Sequence, residues 1–129
     1  MKTAAKVYLS DIHFELNQWE SELKFWEDEM KIFGRRLEEV VKRYTNNEIR
    51  AKIEHFQNQF FLHEEVIDKL KNEVKQHNKL LAGLAVQSVE TVDYPYYEHH
   101  LDLRDRVDTQ RTIYYELKTE YFEFLTKAL

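Results

Sequence analysis

Six histidines have the widest chemical reach in this sequence, because imidazole binds metals and exchanges protons near neutral pH. Three of them, His63, His77 and His100, stand at positions in long apolar series that otherwise hold bulky hydrophobic residues. Suppose the chain runs up, down and up, with turns flanked by Tyr44 and Asn47 and by Val86 and Pro95. His77 then lies level with roughly residue 15 of the first helix and roughly residue 104 of the third, and His13 and His100 fall within about one turn of it. His13, His77 and His100 would bring one imidazole from each helix to the same end, the ligand type and number of an open zinc or iron site. Asp11 and Glu15 are placed to complete or orient it, and one divalent transition metal is the cofactor implied. That metal site is the alternative reading; the leading expectation is a chain with no cofactor. A histidine in a packing seam commonly hydrogen-bonds a carboxylate or water and fixes how helices align. Glu73, four residues before His77 on the same face, is the natural partner. His63 is expected to stand alone near Met30 in a structural role, and His55 and His99 lie outside the seams.

Other chemistry is absent on inspection. There is no glycine-rich phosphate loop, no Gly-x-Ser-x-Gly elbow and no His-Glu-x-x-His. A di-iron bundle needs Glu-x-x-His so that both ligands leave one helix face, but the places three before the histidines hold Ser10, Lys52, Phe60, Val74, Tyr96 and Tyr97. With no cysteine there is no thiolate nucleophile and no sulfur-based zinc site. No catalytic residue is assigned, and a non-enzymatic protein is expected. The aromatics Trp19, Trp26, Phe33, Phe56, Phe60, Tyr114, Tyr121 and Phe124 repeat at helical spacing, which makes them core before it makes them a ligand pocket.

The elements that carry these residues are legible from apolar spacing. From Leu9 the series Ile12, Leu16, Trp19, Leu23, Trp26, Met30, Phe33, Leu37, Val40 and Tyr44 alternates steps of three and four. A second series runs from Ile49 and Ile53 to Leu84, and a third from Tyr96 to Ala128. Three such seams predict an all-α, up-down-up bundle of three long antiparallel helices with coiled-coil-like packing, in one domain, at about 4–44, 47–86 and 95–129. Two glycines and one proline leave few places to break a helix. Thr45-Asn46-Asn47 offers cap oxygens at the first reversal, Asp93 can cap just ahead of Pro95, and Thr3 or Ser10 can start the first helix, the seam at Ala5 and Leu9 favouring Thr3. The rival is one helix running on through Thr45 in an oligomer, which the phase jump between Tyr44 and Ile49 opposes. Gly34, inside the first helix, marks a close approach or a bend, or is simply tolerated there.

Leu9-x-x-Ile12-x-x-x-Leu16-x-x-Trp19 in the first helix, with His63-x-x-x-Ile67-x-x-Leu70 and Val74-x-x-His77 in the second, resembles a spectrin-type repeat. The resemblance covers about half the chain and implies a three-helix topology, here in one copy with longer helices; it implies no function.

Charge and surface pattern bound the partners. A formal charge of −5 disfavours nucleic acid, no apolar run approaches the ~20 residues of a membrane span, and residues 1–15 lack a secretory core, so a cytoplasmic location is expected. Acids dominate Asp11 to Glu29 and bases dominate Lys31 to Lys52. That makes Arg35, Arg36, Lys42, Arg43, Arg50 and Lys52 either a site for an acidic partner or an ordinary solvated face. Phe14, Phe25 and Ile32 fall within about 20° of one another on the side of the first helix opposite its seam. They are the expected interface of a homodimer, or of contact with another helical protein, and Leu62, Val66 and Leu80 widen the second helix's apolar arc.

Overall fold

A computed structural model describes residues 6–44 and 46–128. Three helices account for nearly all of them: α1 Leu9–Arg43, α2 Asn47–Val86 and α3 Tyr94–Ala128. Each buries the stripe its spacing marks, from Leu9 to Val40 on α1, from Ile53 to Leu81 on α2 and from Tyr96 to Tyr121 on α3. Cross-helix contacts fix the directions. Lys71 of α2 meets Glu27 of α1, Arg106 of α3 meets Glu73 of α2, and Arg104 of α3 returns to Glu15 of α1, so α3 runs parallel to α1. The predicted up-down-up bundle is the fold.

Local chemistry sets the ends. Tyr44 is extended, and the Asn46 side chain accepts the Glu48 amide at 2.8 Å, which begins α2. α2 stops in a Schellman turn, with the Ser88 amide on the Ala85 carbonyl and the Val89 amide on that of Leu84. Ser88 takes the left-handed conformation, φ 58°, that this turn demands and that glycine usually fills. Asp93 then caps α3, accepting the Tyr96 amide at 3.0 Å, with Pro95 in the first turn where no amide is needed.

The first helix departs from expectation. It begins at Leu9 and not near residue 4, because Lys6–Tyr8 lie outside any helix and Tyr8 bridges to Thr91. The Val92 amide donates to Val7 at 2.9 Å and the Leu9 amide to Glu90 at 3.0 Å, so the last turn before α3 supplies the partners that α1 lacks from a side-chain cap. Thr3, the expected start, and Thr45 lie outside the described residues. Gly34 marks no close approach: a β-carbon there would meet nothing within 4 Å.

The core is not uniform along its length. At the end near the α1–α2 reversal it is aromatic, with Phe33 tilted on Tyr121 at 4.6 Å and Phe56 edge-on to the same ring at 5.9 Å. Trp26 and Tyr114 fill the middle. Toward the α2–α3 turn the core turns polar, and there His77 and His100 lie, with His63 nearer the middle beside Tyr114.

Candidate functional site

His77 and His100 are both buried, one from α2 and one from α3, with ring planes 20° apart. His77 Nε2 lies 3.1 Å from His100 Nδ1, and His100 Nε2 lies 2.6 Å from Glu15 Oε1 on α1. Arg104, one turn along α3 from His100, donates to both oxygens of Glu15 and keeps them charged. Burial works against that charge, but the hydrogen bonds from Arg104 and His100 and the guanidinium beside it prevail, and the Glu15 carboxyl is held below its ordinary range. A carboxylate only accepts, so the network fixes both tautomers. His100 donates from Nε2 to Glu15 and accepts at Nδ1 from the Nε2–H of His77. His77 Nδ1 is then a bare lone pair, and it is the one buried side-chain nitrogen or oxygen without a partner among the described residues.

Flat surfaces hold the two imidazoles. Trp19 stacks on His100 at 4.7 Å and Tyr96 on His77 at 4.0 Å, while the Tyr96 hydroxyl donates to the His77 carbonyl at 2.9 Å. Desolvation in this packing disfavours the imidazolium, helped by the neighbouring histidines, and lowers His77 from 6.5 to about 4. His100 is also lowered: burial outweighs the pull of Glu15 in the other direction.

The structure joins two of the three proposed metal ligands. His13 sits on an exposed part of α1, its ring 3.2 Å from the Asn17 amide nitrogen. Among the described residues no group of three His, Asp or Glu side chains is arranged to hold a metal ion. The nitrogens of His77 and His100 that face each other are occupied by their mutual hydrogen bond. Glu15 does orient a histidine, as its level suggested. Glu73 does not pair with His77 but crosses to Arg106 on α3, and His63 is not alone, since the Gln110 amide nitrogen lies 2.8 Å from its Nδ1. What the triad does chemically is tie three helices at one level, one carboxylate and two imidazoles in a chain of hydrogen bonds that ends at His77 Nδ1.

A second arrangement follows a seven-residue spacing that the apolar seams do not show. Glu15, Glu22 and Glu29 recur every seven residues on α1, as do Arg104, Arg111 and Lys118 on α3. They pair in that order, Glu15–Arg104 at 2.7 Å, Glu22–Arg111 at 2.5 Å and Glu29–Lys118 at 2.6 Å, each pair 89 residues apart. Much of the acidic run of α1 is thus spent on α3. The basic residues beyond it remain on the surface, where Arg36 reaches Glu39 at 3.9 Å and Arg35 donates to the Lys31 carbonyl.

Outside the core, the expected contact face is open. Phe14, Phe25 and Ile32 are 66%, 55% and 57% exposed along one line of α1. Lys118 holds its ammonium 5.8 Å from the Phe25 ring and 5.6 Å from that of Tyr115, so Tyr115 on α3 continues the same surface. Beside Phe14 lies a shallow hollow of about 630 Å³ lined by Asn17, Gln18, Ser21 and Glu22. Leu62, Val66 and Leu80 are exposed on α2. No helix among the described residues is long and apolar enough to cross a membrane. No protein-family model, no curated protein and no solved structure matches this chain.

Proposed function

We propose that this chain is a small non-enzymatic interaction or scaffold protein that acts through its helical surfaces, and that its first partner is a second copy of itself. The observation that carries the reading is the aligned, exposed line of Phe14, Phe25 and Ile32 on α1, which the bundle's own core does not use. Two-fold homodimers are the commonest oligomers, and a contiguous apolar line on one helix is the kind of patch such dimers cover. The buried histidines are structural in this reading, since His77, His100 and Glu15 bond to one another across three helices. It calls for no cofactor and no nucleic acid, and a cytoplasmic setting suits a chain whose stability owes nothing to disulfides. Another helical protein would use the same face.

Sedimentation equilibrium at tens of micromolar tests the proposal. The wild type is expected at twice the 15.8 kDa chain mass, and Phe14→Glu/Phe25→Glu at the chain mass with unchanged helicity. A wild type at the chain mass overturns the self-partner reading. A dimer that survives both glutamates moves the contact to another surface.

A further inference from the structure

We propose that two copies of this chain pack α1 against α1 in opposite directions, about a two-fold axis level with Leu23. Phe14 of each then meets Ile32 of the other, and Phe25 of each faces Ser21 of the other. The inference rests on the dimer reading above and specifies its geometry.

Three observations select this arrangement. The first is charge along the outer face of α1. Asp11 and Arg36 lie within about 20° of each other on one flank of the apolar line, at opposite ends of it. A parallel pair would set the arginines at 35 and 36 of one copy against those of the other, like against like. An antiparallel pair sets Asp11 against Arg36 at both ends, opposite against opposite. The second is the spacing of the apolar residues. Matching Phe14 to Phe25 would leave Ile32 opposite Val7, beyond the start of the other α1 at Leu9. Matching Phe25 to itself would put Phe14 on Arg36, and matching Phe25 to Ile32 would put it on Arg43. Matching Phe14 to Ile32 seats both and leaves no apolar residue on a charge. The third is shape. In that alignment Phe25 falls against Ser21, a wall of the hollow beside Phe14, so the larger side chain meets a recess in the outer face of α1.

The chain has no cysteine, so any disulfide reports an engineered pair. Asn17 and Asp28 share the other flank of the line and become neighbours across the proposed axis. A mixture of Asn17→Cys and Asp28→Cys proteins, oxidised together, is expected to give a heterodimeric disulfide. Neither protein alone should do so, because its own cysteines would lie on the order of 15 Å apart along the helices, beyond disulfide reach. Charge reversal supplies an independent readout. Asp11→Arg and Arg36→Asp should each weaken the dimer about three- to tenfold, counting two symmetric contacts, and the chain carrying both should recover. Same-site disulfides in the separate proteins, or a double reversal no better than the singles, overturn the antiparallel arrangement while leaving a dimer. A wild type that sediments as a monomer fails the earlier reading instead.

Discussion

Acid should loosen this bundle through one imidazole. His77 is neutral in the fold because burial disfavours the imidazolium, and a proton added at Nδ1 would find no acceptor among the described residues. In the unfolded chain the same ring titrates at 6.5, against about 4 in the folded one. Between those values the unfolded chain carries a proton that the folded chain refuses. Unfolding therefore takes up a proton, and stability falls as pH drops through this window. Over the full window the linkage is worth about 3 kcal/mol, and at pH 5 about 2 kcal/mol of that is already lost relative to pH 8. Glu15, lowered from 4.5, begins to lose its contribution only below the same pH 5, so the interval from 8 to 5 isolates histidine. Urea titrations at both pH values, followed by circular dichroism, should be run on the wild type and on His77→Leu. The variant starts weaker by ~1–3 kcal/mol, because His100 Nδ1 loses its donor. It should lose about 2 kcal/mol less on acidification. His63, also lowered by burial but bonded to Gln110 away from the substitution, acts alike in the two proteins. Equal acid losses in wild type and variant would refute the assignment of His77 as the refused proton.

Leu70→Ala and Leu117→Ala, at buried seam positions, should each cost ~2–5 kcal/mol by urea unfolding; losses under ~1 kcal/mol at both would mean they do not pack the core. Ser88→Gly should stabilise by about 1 kcal/mol, since Ser88 holds the left-handed φ that costs a side-chain-bearing residue; a loss of stability would show that its side chain earns its place. Elemental analysis of protein purified without an affinity tag is expected to find no stoichiometric zinc or iron. Metal present in the wild type and lost in both His77→Ala and His100→Ala would restore the metal reading.

The fold was readable because a three-four alternation over eleven positions admits one structure, and the buried stripe of α1 follows it from Leu9 to Val40. What escaped were effects of distant partners. Val7 and Tyr8 continue the chain toward α1 without a break in composition, yet they lie outside the helix, where the Glu90–Val92 segment bonds them. No glycine follows the last turn of α2 to announce its end, since Ser88 stands where glycine would. At the histidines, level arithmetic placed Glu15, His77 and His100 together, but level says nothing about facing. His13 follows the seam residue Ile12 and is turned about 100° from it. Glu73 was within reach of His77 along its own helix, but the arginine across the groove competes for a carboxylate with a full charge and two donors.

Parallel α1 and α3 meet through two scales of marking, like the coarse and fine rules of a vernier. The ionic rungs repeat every seven residues, so α3 slipped by seven would keep two of three, Arg111 taking the place of Arg104 beside Glu15. Such a slip would leave Glu29 without its lysine, the loss of one part-buried pair. The buried polar contacts do not repeat. After the same slip His77 would face Val107 and His63 would face Leu117, each imidazole stranded against aliphatic carbon at ~1–3 kcal/mol. The salt bridges thus define a set of equivalent notches, and Glu15–His100–His77 with His63–Gln110 choose among them. Replacing those buried pairs by leucines would leave a bundle free to settle in more than one notch, heterogeneous along its axis even if no less stable.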